Sequence, residues 1–186
     1  MRMVIASDLH GLPESLEFLL AKVKELKPAR TVLLGDMLYH GPRNPLPGGY
    51  GPLHMPELFR QLMDLAPVTA VRGNCDAEID LELLPFAMPD NAVIECDGLQ
   101  IYASHGHHIP LQPPMGAFAP ETVFLHGHTH VPRGETLEGF SFWNPGSMTL
   151  PKRGYPRSYA VYEDGLFRVL DFEGRTVLEH RPSPRS

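Results

Sequence analysis

Gly127-His128-Thr129-His130 directly follows residues 122–126 (Thr-Val-Phe-Leu-His), an apolar run that is typical of a short buried strand. The two histidines therefore lie where a strand ends and a loop begins, and ligands in α/β folds bind at this carboxyl edge of the sheet. Imidazole is the commonest metal-binding side chain, and it is largely neutral near physiological pH. A pair of exposed histidines would explain this single motif equally well, so the choice depends on the rest of the chain.

Polar residues follow four other predicted strands in the same way: Asp8 and His10, Asp36, Asn74, and His105. The strands themselves are predicted at residues 2–7, 30–34, 68–71 and 99–104. An amphipathic helix predicted for residues 13–26 connects the first two strands, and such a unit implies parallel strands with a right-handed crossover. Asp8 and Asp36 should then share one edge of the sheet, where two carboxylates repel each other strongly unless a cation lies between them. Taken singly, either aspartate could instead cap a helix or bond a loop.

Together the clusters offer two aspartates, one asparagine and four histidines: Asp8, His10, Asp36, Asn74, His105, His128 and His130. This set exceeds what one tetrahedral ion needs. It fits two octahedral or five-coordinate divalent ions about 3.5–4 Å apart that share one bridging carboxylate. Asp36, alone on its loop, is the expected bridge. Mn²⁺ is the favoured ion, although mixed ligation by Asp, Asn and His also suits Zn²⁺, Fe, Ni²⁺ or Co²⁺.

Composition restricts the class of protein. The 186 residues fit a single domain, residues 1–186, and 42% hydrophobic with 20% charged residues is ordinary for a soluble globular chain. A net charge of −6 gives no general attraction to nucleic acid or to an anionic membrane, so nucleic acid and membrane partners are not expected. Two cysteines give no disulfide framework, and the N-terminus does not resemble a signal peptide. We expect a cytoplasmic protein.

Residues beside the clusters are candidates for substrate binding. The loop at residues 37–56 is rich in Gly and Pro, as is typical of a lid or a substrate wall, and it contains Arg43 and Asn44. Arg43 could pair with a phosphate oxygen, although a solvated loop or a contact within a homo-oligomer explains it equally well. His107 lies beyond His105, either on the substrate side or merely exposed. Cys75 could be a ligand, a reactive thiol or a small apolar filler behind the ligands, and the last is favoured.

The ordered set of motifs resembles the calcineurin-like metallophosphoesterase superfamily: Asp-x-His at 8–10, Gly-Asp at 35–36, Gly-Asn at 73–74, His-Gly-His at 105–107 and Gly-His-x-His at 127–130. Residues 35–47, 72–76 and 144–147 are similar, more narrowly, to bacterial YfcE-type phosphodiesterases. The resemblance implies an α/β fold of two packed mixed β-sheets flanked by helices, a four-layer α-β-β-α sandwich. It also implies that one ion is held by Asp8, His10, Asp36 and His130, and the second by Asp36, Asn74, His105 and His128.

The activity implied by this resemblance is hydrolysis of a small-molecule phosphodiester. A hydroxide that bridges the two ions would attack phosphorus in line, with Asp36, Asn74 and His105 as catalytic residues. One departure from the family pattern affects specificity. Many superfamily phosphatases have a histidine directly after Gly-Asn, whereas this chain has Cys75, a weak hydrogen-bond partner and a poor proton donor. We therefore expect a preference for diesters with good leaving groups and weak activity on alkyl monoesters, unless His107 supplies the missing acid.

Two alternative functions are compatible with the same fold. A metal-dependent phosphomonoesterase is disfavoured by Cys75. A non-catalytic scaffold for protein interactions, like the retromer subunit of this fold, would be free to lose metal ligands, whereas every expected ligand is present.

Overall fold

The computed structural model describes residues 1–108, 111–112, 116 and 118–182. Its strands form two sheets of six and five strands among these residues. The six-stranded sheet contains β1 (Met3–Ala6), β2 (Arg30–Leu33), β3 (Val68–Ala70), β9 (Ser158–Glu163), β10 (Leu166–Asp171) and β11 (Thr176–His180). The five-stranded sheet contains β4 (Asn91–Cys96), β5 (Leu99–Ser104), β6 (Val123–Leu125), β7 (Arg133–Leu137) and β8 (Phe140–Asn144). Their spatial orders are β11-β10-β9-β1-β2-β3 and β4-β5-β6-β8-β7.

The parallel part of each sheet brings together the loops that carry the polar clusters. β1 pairs in parallel with β2, and β2 with β3, while β6 lies parallel to both β5 and β8 in the other sheet. The carboxyl ends of parallel strands meet at one edge. The Nδ1 atom of His105, after β5, is 2.6 Å from the Leu34 carbonyl, after β2, so the two edges meet each other.

Apolar side chains fill the space between the sheets. Met3 and Ile5 of β1 face the second sheet, whereas Val4 and Ala6 face the helices, as the alternation of a strand requires. The rings of Trp143 and Phe167 stack across the interface with centroids 4.8 Å apart. Since both faces of β1 are covered, its sequence is apolar throughout, and it can supply polar groups only beyond its end.

The helices α1 (Pro13–Leu26), α2 (Met55–Leu65) and α3 (Glu78–Leu81) complete the described elements, with a short 3₁₀ turn, Pro52–His54, before α2. α1 has the predicted bounds. α3 was not predicted, because its four residues are too few to show a helical period. None of the described helices is long and apolar enough to cross a membrane.

Outside the second sheet, Phe118 and Leu111 pack on Phe124 and Phe142 in the described part of the chain. The two mixed sheets and their flanking helices confirm the predicted fold class.

Candidate metal centre

The loops that leave the strands have an unusual backbone. Among the predicted ligands, five have a left-handed conformation with φ between 46° and 65°: Asp8, His10, Asp36, His128 and His130. A residue with a side chain adopts such angles at a cost of roughly 1–3 kcal/mol, and such residues concentrate at functional sites. The three loops that carry these five residues therefore turn sharply at the positions of their polar side chains.

Asp8, His10, Asp36 and His130 form a compact buried cluster in which one ligand atom of each lies within 4.8 Å of the others. Asp8 Oδ1 is 3.2 Å from His130 Nε2 and 3.6 Å from His10 Nε2. Within the described residues this oxygen has no hydrogen-bond partner, although Asp8 is fully buried. An unpaired buried carboxylate oxygen is costly, and a cation at this position would remove the cost.

Backbone carbonyls orient three of the imidazoles. The Nδ1 atoms of His10, His105 and His130 lie 2.9, 2.6 and 2.5 Å from the carbonyl oxygens of Tyr39, Leu34 and Leu150. Because a carbonyl can only accept, each Nδ1 carries the hydrogen and each neutral ring presents an Nε2 lone pair to the site. With the rings neutral, nitrogen lone pairs and carboxylates face one another with no hydrogen-bond donor between them. This set of metal-binding atoms fits a divalent cation.

The remaining ligands form a second cluster beside the first. Asn74 Oδ1 is 3.0 Å from His105 Nε2 and 2.7 Å from His128 Nδ1. Asp36 Oδ2 lies 3.5 Å from His105 Nε2 in this cluster and 3.8 Å from His10 Nε2 in the first. All seven predicted ligands are thus brought together, and Asp36 lies between the two groups.

Close backbone contacts hold the loops in place. A Cβ atom on Gly73 would lie 2.2 Å from Asp36 Oδ1, and one on Gly127 would lie 1.9 Å from Ser7 Oγ. Only glycine permits these approaches, which bring the ends of β2 and β3, and of β1 and β6, against each other. The glycines that precede Asn74 and His128 therefore set the spacing of the site.

Three buried polar residues that were not predicted as site residues position the ligand loops. The Asp76 carboxylate accepts hydrogen bonds from the backbone N–H groups of Asp36, Met37 and Gly73 at 2.7–2.8 Å. Asn144 Nδ2 donates to the Gly127 carbonyl at 2.8 Å, and Ser147 Oγ donates to the Asp8 carbonyl at 3.0 Å. The only signal in the sequence was their place after strands: Asp76 ends the segment 72–76, and the other two lie in 144–147.

The charges of the site perturb its titration in the metal-free protein. Burial opposes protonation of His105, but the hydrogen bond to Asp36 and the charge of Asp8 outweigh it and raise the pKa of His105 to about 9. The pKa of His10 is raised in the same way, against burial, by Asp8. Burial tends to raise the pKa of Asp8, but the neighbouring imidazoles of His10 and His130, when protonated, hold it well below its usual value. Protons on imidazoles therefore balance the carboxylates when no cation does so.

A family model for the calcineurin-like phosphoesterase superfamily domain matches residues 1–164. The chain belongs to the calcineurin-like phosphoesterase superfamily. It is 35% identical to phosphodiesterase YfcE of Escherichia coli K12 over 180 residues, which cover 96% of each chain. The structure of E. coli YfcE matches with a TM-score of 0.92 at 32% identity and covers 98% of this chain and 100% of that one.

The phosphoesterase fold is also shared with Vps29 of Entamoeba histolytica, whose structure in complex with Zn²⁺ matches with a TM-score of 0.58. That likeness, at 18% identity over 91% of this chain and 90% of the other, concerns the fold alone. The comparisons confirm the predicted superfamily and fold. They also support the predicted class of enzyme, a metal-dependent phosphodiester hydrolase.

A cleft of about 460 Å³ opens over the ligands of this phosphoesterase domain, and it is lined by Arg43, Asn44 and Cys75, with Lys152 at its margin. Arg43 is exposed and has no hydrogen bond or ion pair within the described residues. Asn44 Nδ2 donates to the His40 carbonyl at 2.8 Å, so Asn44 also holds the shape of its own loop.

The other two predicted substrate-side residues are electrically neutral near pH 7. Burial, together with the neighbouring imidazoles, lowers the pKa of His107 to about 4. His107 packs beside His105 and His128, with ring centroids 5.4 and 6.0 Å away, and does not line the cleft. Burial and the charge of Asp36 raise the pKa of the Cys75 thiol to about 12. Cys75 is therefore a protonated thiol, and neither a nucleophile nor an acid of useful strength.

Proposed function

We propose that this protein is a dinuclear metal-dependent phosphodiesterase. The observation that carries the proposal is the location of Asp36 Oδ2, within 3.8 Å of imidazole nitrogens in both ligand clusters. One ion would be held by Asp8, His10, Asp36 and His130, and the other by Asp36, Asn74, His105 and His128. Mn²⁺ remains the favoured ion, although the mixed oxygen and imidazole ligands of both sets also suit Zn²⁺, Fe, Ni²⁺ or Co²⁺.

When bound, such ions would activate a water molecule for in-line attack on phosphorus and neutralise the charge of the phosphoryl oxygens. Residues of the chain position the Asp36 carboxylate and the substrate. Cys75 donates its backbone N–H to Asp36 Oδ1 at 2.8 Å, which leaves Oδ2 free for the ions. Arg43, unpaired at the rim of the cleft, is placed to pair with a phosphoryl oxygen, and Asn44 supports its loop.

The same proposal includes the setting in which the enzyme acts. We place the activity in one domain, residues 1–186, in the cytoplasm, on a small-molecule diester. Cys75 and Cys96 are unpaired, as is usual in a reducing compartment.

Removal of metal followed by addition of Mn²⁺ should restore hydrolysis of an aryl phosphodiester and leave an alkyl monoester a poor substrate. The metal supplies the activated water, and Cys75 offers no proton to a leaving alkoxide. The rates are read from release of phenolate by the diester and of inorganic phosphate by the monoester, beside the metal content per chain. A faster monoester would contradict the diesterase assignment, and absence of both activity and bound metal would favour a scaffold.

Replacement of Cys75 by histidine should raise turnover of an alkyl monoester by about tenfold or more, because an imidazole here can protonate the leaving oxygen. Turnover of an aryl diester should change little, since its leaving group needs no acid. Cys75→Ser is the matched control, because it adds a hydroxyl but no useful acid. The measurement is kcat/KM for both substrates in both variants. Equal monoester rates in Cys75→His and Cys75→Ser, with metal content unchanged, would show that Cys75 does not limit specificity.

A further inference from the structure

A second groove adjoins the metal cleft. It has a volume of about 570 Å³ and shares the lining residues Thr129 and Lys152 with the cleft, so the two cavities are neighbours. Val131 and Pro132 form an apolar wall, and the basic residues Arg133, Lys152 and Arg153 line the remainder with one acidic residue, Glu135. None of the predicted metal ligands lines this groove.

The positive charge of the groove is only partly compensated. Arg133 Nε lies 2.6 Å from Glu135, and its guanidinium group packs 4.2 Å from the centre of the Phe142 ring. Lys152 and Arg153 are exposed and have no ion pair within the described residues. In a chain with a net charge of −6, two free cations beside the reaction site produce a local field that favours an anion.

The loop that carries these cations is attached directly to a predicted metal ligand. Lys152 donates its backbone N–H to the His130 carbonyl at 3.2 Å, and His130 Nδ1 donates in turn to the Leu150 carbonyl at 2.5 Å. Tyr155 N–H donates to the Lys152 carbonyl at 3.1 Å and closes a tight turn around Arg153 and Gly154. Both central residues have positive φ, as in a type I′ turn. The backbone that carries the two cations is therefore anchored to the metal centre.

His126 also lines the groove. Its side chain is 2% exposed, and its Nδ1 atom lies 3.1 Å from the Gly127 carbonyl, so the ring is held in place at the junction between the groove and the loop of His128.

We propose that this groove is a substrate subsite that binds the second ester arm of the diester and selects arms that carry an anionic group beyond a short apolar segment. The apolar segment would pack on Val131 and Pro132, and the anion would lie near Lys152 and Arg153. The inference rests on the proposed function, since the phosphodiester must lie in the adjoining cleft. In the reaction, water supplies the new oxygen on phosphorus, and the bond to the other ester oxygen breaks. The group on that oxygen leaves as its alcohol, the arm leaves as its phosphate monoester dianion, and one proton is released.

The test uses three diesters with the same nitrophenolate leaving group and arms of similar length: pentyl, 4-carboxybutyl and 4-aminobutyl. With the Mn²⁺-loaded protein, kcat/KM should be about fivefold higher for the carboxybutyl arm than for the pentyl arm, and lower for the aminobutyl arm. The preference should shrink in about 0.5 M salt, because exposed charges are screened. The same order should appear in the Kd of the corresponding methylphosphonate esters, which measures binding without turnover.

Arg153→Glu should abolish or reverse the preference for the anionic arm. Lys24→Glu changes the net charge equally on an exposed part of α1 and should leave the preference intact. If the pentyl diester is hydrolysed but the carboxybutyl arm is not preferred to it, the subsite alone is overturned. The same holds if Arg153→Glu and Lys24→Glu change the preference for the anionic arm equally. No turnover of the pentyl diester by metal-loaded protein would overturn the diesterase function and the subsite with it.

Discussion

Replacement of Asp36 by asparagine should lower kcat/KM for an aryl diester by at least about 10³-fold, which corresponds to ~4 kcal/mol of lost transition-state stabilisation. The reason is geometric. Asp36 Oδ2 is the only described carboxylate oxygen within 4.0 Å of imidazoles in both clusters, 3.8 Å from His10 and 3.5 Å from His105. An amide has the same shape but no charge, so the substitution should weaken the binding of both ions and not of one alone.

The measurement combines kinetics with the number of metal ions bound per chain. Asp171→Asn is a matched control, because Asp171 is also a buried aspartate but holds the turn after β10, where it accepts the Arg175 N–H at 2.8 Å. The control should keep both metals and most of its activity. If Asp36→Asn retained two ions and full activity, Asp36 would not be the bridge. Loss of one ion alone would assign Asp36 to a single cluster.

The ligands of this site could be predicted because each directly follows a strand. Apolar runs fixed the strands, and the helix at residues 13–26 between the first two runs fixed their parallel order, so Asp8 and Asp36 had to share an edge. The same logic carried over to Asn74, His105 and the histidines at 128 and 130. The position after a strand marked these residues as candidates, but only the packing of the two sheets brings the edge that carries the histidines against the edge that carries Asp8 and Asp36.

The residues that hold the ligand loops in place could not be predicted in the same way. Two of the three backbone N–H groups that Asp76 accepts from, those of Asp36 and Met37, are 40 and 39 residues away in sequence, and Asn144 acts through a carbonyl 17 residues away. Such contacts depend on how two sheets pack, which leaves no periodic signal in the sequence. Lys152 is a similar case, because its loop lies beside the cleft only through its bond to His130.

Loss of a proton from His105 should govern the stability of the metal-free protein at alkaline pH. The pKa of His105 is about 9 in the folded protein, above the unfolded value of 6.5. The corresponding stabilisation, on the order of 3 kcal/mol, is therefore complete below pH 6.5 and is lost as the pH rises through about 9. The Tm of the metal-free protein should fall over this range. The metal-loaded protein should show a smaller fall, since a cation then replaces the proton.

Metal binding should show the opposite dependence on pH. An ion can bind His105 Nε2 only after its proton leaves, so the apparent association constant for Mn²⁺ should rise about 10²-fold between about pH 6.5 and pH 8.5. Calorimetry under anaerobic conditions, in buffers that differ in ionisation enthalpy, gives both this constant and the protons released, about one per chain or more near pH 7. His105→Gln should weaken binding and flatten the slope, whereas His54→Gln, the same change at an exposed site, should alter neither. An affinity that stays constant over this range, without proton release, would mean that the imidazole is already neutral in the metal-free protein. Another source of positive charge would then have to compensate the two buried carboxylates in the metal-free protein.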